Sequence, residues 1–170
     1  GTLVYTSLAL GSGGSYFQGR LSLQNINGST DHRSYMNGGV WTYRSETGAN
    51  RHTASGLAWK LSPLNATEIT SSFPARVLLA RLAVNASQLV TVSAWVMRDN
   101  TGLTSRLVCK GRQIAGVDND VVATSSAGAG VYEQLSIVFT PSAAGVVEIE
   151  FQAYGGTTYN AYIDDLTITQ

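Results

Sequence analysis

The chain is 170 residues long and 44% hydrophobic, enough for one core, and only 13% of it is charged, with 11 basic against 11 acidic residues. That balance excludes the basic footprint of a nucleic-acid binder or of a protein drawn to an anionic membrane surface, and no run approaches the roughly 18 apolar residues of an inserted helix. Cys109 is the single cysteine, so neither an intrachain disulfide nor a cysteine cage for a metal is available.

The chain opens Gly1-Thr2 without a methionine and enters LVYTSLAL at once. That reads as a processed or excised piece of something longer, folded as one domain over residues 1–170. Residues 3–10 and 20–26 are β-like and are separated by the flexible glycine–serine run 11–15, which lacks the lysine and following Ser/Thr of a phosphate loop. From 27 to 53 the sequence is polar, turn-rich and aromatic, with only 40–44 reading as a strand. A long structured loop of this kind is a common place for function.

Strand grammar returns at 57–61, where Leu57, Trp59 and Leu61 share a phase and Trp59 is expected in the core. ARVLLARLAV, after Phe73-Pro74, reads as a strand with Leu78, Ala80, Leu82 and Val84 inward, because it lacks a helix N-cap and its neighbours are strands. In residues 89–98, Val90, Val92, Ala94 and Val96 point one way and Thr91, Ser93, Trp95 and Met97 the other. Residues 103–110 follow, with Leu103, Ser105, Leu107 and Cys109 inward and Arg106 and Lys110 outward; short pieces at 113–117 and 121–124 flank a turn. Residues 132–140 put Leu135, Ile137 and Phe139 inward, and 146–154 put Val147, Ile149, Phe151 and Ala153 inward against Glu148, Glu150, Gln152 and Tyr154. The final strand, 161–169, places Asp164 in phase with Leu166 and Ile168 and Asp165 in phase with Thr167 and Thr169. A carboxylate in the core phase demands a cation, backbone N–H groups or water. Nine or ten short strands and no clear helix predict an all-β, two-sheet antiparallel β-sandwich.

The ending, with its strand, glycine turn and Y-I-D-D-L-T-I, resembles the terminal hairpin of the carbohydrate-binding-module jelly rolls. These galactose-binding-like sandwiches are appended to glycosidases and also found on phage capsid and tail proteins. The resemblance extends through S-G-L-A-W-K-L, Q-L-V-T-V-S-A-W-V and Y-E-Q-L-S-I-V-F-T-P, over the last two thirds of the chain. It implies a jelly-roll sandwich and informs function only weakly, since these motifs are the hydrophobic grammar of an architecture. It further implies a structural calcium held by an aspartate of the last strand, here Asp164. The chain departs from that pattern, because residues 3–10 offer no acidic partner and Asp31 or Glu46 would have to come from the long loop. Hydrogen bonding of Asp164 to loop N–H groups is the alternative.

Catalytic chemistry is thin. His32 and His52 lie among charged loop residues without any recognisable nucleophile or metal motif, and Glu148 and Glu150, two apart on one strand face, read as ordinary surface. The expectation is a non-enzyme without a cofactor. Sugar recognition needs aromatic faces and planar polar groups. Trp95, Gln152 and Tyr154, opposite the core phase, and Trp41 and Tyr43 in the long loop meet that demand, though an outward tryptophan can also be buried under a loop. Sequons at Asn27, Asn65 and Asn85 bear on function only in a eukaryotic secreted protein. Two readings survive: a non-catalytic virion or extracellular surface domain that binds glycans or neighbouring virion proteins, and a carbohydrate-binding module of a glycoside-active enzyme. Both imply an extracellular or virion-surface location, no nucleic acid and no membrane insertion, and both are compatible with a homo-oligomer.

Overall fold

The computed structural model describes residues 5–8, 39–44, 52, 58–63, 69–72, 74–110, 120–156 and 158–170; for 5–8 and 39–44 it describes the backbone alone. Among these residues there are ten strands and no helix: β1 (Tyr5–Leu8), β2 (Gly39–Arg44), β3 (Ala58–Pro63), β4 (Ala75–Val84), β5 (Val90–Arg98), β6 (Thr104–Lys110), β7 (Val121–Thr124), β8 (Glu133–Phe139), β9 (Gly145–Tyr154) and β10 (Ala161–Thr169). The expected pieces at 20–26 and 113–117 lie outside the described residues, as does most of the long polar loop.

Two antiparallel sheets result. One runs β2-β3-β10-β5-β8, with β1 beside β10, and the other runs β4-β9-β6-β7. Their facing sides make the core. Val90, Val92, Val96, Leu107, Leu135, Ile137, Phe139, Ile149, Phe151, Leu166 and Ile168, each on the apolar phase of its strand, all join one buried cluster, and Trp59 joins it as expected. Phe151 is fully buried, so Phe151→Ala costs about 3 to 5 kcal/mol. The expected β-sandwich of jelly-roll type is the fold observed.

Two strands depart from a simple period of two, and in both the cause is a bulge. In β4 the register against β9 shifts between Leu78 and Ala80. Ala75 and Val77 face the core before the shift and Ala80, Leu82 and Val84 after it, so Leu78 is turned to the outer face, where it opposes Glu150. The expectation that Leu78 points inward is therefore corrected: one extra residue inverts every phase counted through it.

In β10 the shift lies between Asp164 and Thr167. Ala161 and Ile163 face the core ahead of it and Leu166 and Ile168 behind it. Asp165 adopts φ +47°, the left-handed conformation that aspartate tolerates better than most residues. Asp164 therefore does not share the phase of Leu166 and Ile168; it opposes Trp95 on the outer face. The bulge also marks where β10 changes neighbour, from β3 along Ala161 to Ile163 to β1 along Leu166 to Ile168.

The β9–β10 turn begins at Gly155, whose φ is +103° and whose missing Cβ would stand 2.6 Å from the Gly102 carbonyl oxygen. Only glycine fits there. Asn160 then joins three strand ends. Its backbone N–H and side-chain Nδ2 donate to the two carboxylate oxygens of Asp99, each at 2.7 Å, and its Oδ1 accepts from the Ser62 hydroxyl at 2.6 Å.

Candidate functional site

The outer face of the four-stranded sheet carries a connected row of polar side chains. Antiparallel register sets Arg76 of β4, Gln152 of β9 and Arg106 of β6 directly side by side, and cross-strand neighbours share a face. Arg106 Nε donates to Gln152 Oε1 at 2.6 Å, and Gln152 Nε2 donates to Glu150 Oε2 at 2.6 Å. The amide is oriented by its partners, oxygen towards the guanidinium and nitrogen towards the carboxylate. Arg106 Nη2 donates in addition to the Ser71 carbonyl at 2.9 Å, and its guanidinium carbon lies 5.1 Å from the centre of the Tyr154 ring, within cation–π range.

Gln152 and Glu150 are 2% and 7% exposed although they point away from the core. Leu78 and Val108, which oppose Glu150 on either side, are buried as well. The row is thus packed into the sheet face, with Tyr154, half-buried and packed against the core, at its end. Glu150 is not the solvated surface carboxylate expected from its phase. Further along the face Arg81 Nε meets Glu148 Oε1 at 3.1 Å, and Lys110 Nζ meets the Asp120 carboxylate.

Trp95 occupies the outer face of the other sheet. His52 lies flat on its indole, 3.8 Å between ring centroids and 12° from parallel, and Tyr132 tilts against the same imidazole at 5.5 Å. The imidazole Nδ1 is 2.8 Å from Asp165 Oδ2, and the His52 backbone N–H donates to Asp164 Oδ2 at 3.0 Å. Met97, Tyr162 and Asp164, on the same outward phase, are 1%, 5% and 1% exposed. This side of the sandwich is a packed surface around Trp95.

Asp164 was the residue through which the family resemblance implied a calcium. Its Oδ1 accepts the Asp165 N–H at 2.9 Å while Oδ2 accepts that of His52, so N–H dipoles supply the compensation that a buried carboxylate needs. No group of three or more His, Cys, Asp or Glu residues that could hold a metal ion occurs among the described residues. Calcium takes six to eight oxygen ligands, and Asp31 and Glu46, the acidic partners named for it, lie outside the described residues.

The sequence-derived candidates accordingly divide. Gln152 and Tyr154 come together with Arg106 on one face, and Trp95 lies on the opposite face of the sandwich. Trp41 and Tyr43 belong to β2, in register with Leu61 and Trp59 of the same sheet as Trp95; their side chains lie outside the described residues. Sequence reasoning missed Arg76 as a member of the face and saw Arg106 only as outward. The phase of each was readable, but their meeting at Gln152 depends on the β4–β9 and β6–β9 registers.

No protein-family model matches the chain, and no curated protein does. Solved structures do. The CBM22-1–GH10 modules of the Clostridium thermocellum endo-1,4-β-D-xylanase 10B, complexed with xylohexaose, align over 78% of this chain and 24% of theirs, with TM-score 0.51 and 19% identity. TmCBM61 in complex with β-1,4-galactotriose aligns over 79% of this chain and 89% of its own, with TM-score 0.51 and 13% identity. The enzymatically active domain of bacteriophage CBA120 tailspike protein 4 aligns over 77% and 18%, with TM-score 0.54 and 12% identity. The chain thus spans about a quarter of the xylanase chain, under a fifth of the tailspike chain and most of the galactotriose-binding module. The fold is that of the carbohydrate-binding-module jelly rolls.

Proposed function

We propose that this chain is a glycan-binding domain without catalytic chemistry of its own, and that it takes a sugar on the outer face of the four-stranded sheet. The observation that carries this reading is the hydrogen-bonded row Arg106–Gln152–Glu150, with Tyr154 under the Arg106 guanidinium at its end. Its polar groups are fixed before any ligand arrives, so the ordering entropy of engaging the arginines beside them is small, and the half-buried Tyr154 ring under Arg106 offers its solvent edge to a sugar. Glu150 and Glu148 serve as acceptors held by Gln152 and Arg81 rather than as an acid/base pair. The likeness in fold to modules solved with xylohexaose and galactotriose supports glycan as the ligand class, and the likeness to a phage tailspike supports a place on a virion or another extracellular assembly.

The test is a glycan array with the wild-type chain and with Tyr154→Ala and Gln152→Ala. Binding by the wild type that both substitutions remove, with folding retained by circular dichroism, supports the reading. Binding that survives both places the site elsewhere.

A further inference from the structure

The charges of this face are not evenly paired, and the imbalance falls at the Tyr154 end. Arg81 is matched by Glu148 and Lys110 by Asp120. Arg106 is coupled to Glu150 through the Gln152 amide. Arg76, on the far side of Gln152 in the same row, is exposed and has no hydrogen-bond or ion-pair partner among the described residues. Arg106 likewise bonds through Nε and Nη2, and its Nη1 has no partner among the described residues. Two guanidinium groups therefore belong to one row, two strand spacings or about 10 Å apart at their backbones, and the single Glu150 carboxylate bonded to the intervening amide offsets only one of them.

We infer that the ligand of this face is an acidic glycan, one whose sugar rings carry carboxylates, with Arg76 as the residue that selects it. The inference rests on the proposed site. A uronate carboxylate lying over Gln152 meets the planar fork of Arg76 on one side and the open edge of Arg106 on the other, while its ring lies towards Tyr154. A neutral hexose offers Arg76 only uncharged hydroxyl acceptors, the weaker kind of partner. A polyanion without sugar rings would gain the charge but lose the aromatic contact.

The experiment compares uronate oligosaccharides with the same oligosaccharides after chemical reduction of their carboxylates to primary alcohols, beside neutral xylo- and galacto-oligosaccharides. Each is titrated calorimetrically against the wild-type chain and against Arg76→Gln and Arg76→Lys. Arg76 is exposed and outside the core, so both variants keep the wild-type melting temperature. Carboxyl reduction is expected to weaken wild-type binding about tenfold or more, the scale of one charge-assisted hydrogen bond. Arg76→Gln is expected to erase that difference, Arg76→Lys to restore part of it, and added salt to narrow it.

Equal or tighter binding of the neutral or reduced oligosaccharides overturns the acidic preference while leaving the glycan site standing. A preference for uronates that survives in Arg76→Gln overturns the role of Arg76. Failure of every oligosaccharide to bind overturns the site and the inference together.

Discussion

The imidazole of His52 rests on the indole of Trp95 at 3.8 Å and 12° from parallel, and the same ring reaches Asp165 of β10 through Nδ1. A loop residue thereby covers the tryptophan that the sequence places on an outward phase. Trp95→Ala is expected to destabilise the fold by about 1 to 3 kcal/mol, from lost aromatic stacking and lost packing beneath His52. It should leave sugar binding on the opposite sheet unchanged. Urea unfolding beside a binding titration of the same variant checks both halves.

The Asp164 carboxylate accepts the backbone N–H groups of His52 and Asp165. Melting curves with and without EDTA should therefore coincide. Asp164→Ala should cost about 1 to 3 kcal/mol, because it removes the acceptor of the His52 and Asp165 N–H groups. A fall of several degrees on adding EDTA to the wild type would instead establish a bound metal.

How much of this was legible follows from the bulges. β5, β8 and β9 keep a strict alternation, so Val90, Ile137 and Phe151 could be placed in the core by counting alone. Leu78 and Asp164 could not, because the extra residue in β4 and in β10 inverts the phase that the count assumes. The same limit hid the candidate site. Gln152 and Tyr154 were readable as outward residues of one strand. The bond from Gln152 to Arg106, 46 positions away, is a fact of strand register, which no local pattern encodes.

Cys109 sits in the core on β6, and burial, reinforced by the Asp120 carboxylate and opposed by Lys110, pushes its thiol up to about 12. The thiolate is the reactive form, so the native protein should resist iodoacetamide at pH 8 and be alkylated only on unfolding. Mass spectrometry of labelled protein with and without urea reads this directly. Rapid native labelling would show that the core opens there.

Glu133 anchors the segment between β7 and β8, accepting from the Ser125 and Ser126 hydroxyls and from the Ser126 and Ala127 N–H groups. Partial burial pushes its carboxyl up, but the hydrogen bonds outweigh that and hold it below its ordinary value of 4.5. A depressed folded value means stability that is fully present above the unfolded value and lost as pH falls through the folded one. The wild type should thus lose urea stability below about pH 4.5 more steeply than Glu133→Gln, and the two should converge in acid. Parallel pH profiles for the two proteins would contradict this.

The central claim places the ligand on β4, β9 and β6 at the row through Gln152. It is tested most directly by backbone amide chemical-shift mapping during titration with whichever oligosaccharide the array shows to bind. Shifts are expected to concentrate at Arg76, Thr104, Arg106, Glu150, Gln152 and Tyr154, with Trp95 and Gln134 on the other sheet, and His52 stacked against Trp95, unmoved. Shifts centred on Trp95 and His52, with the Gln152 row silent, would contradict it.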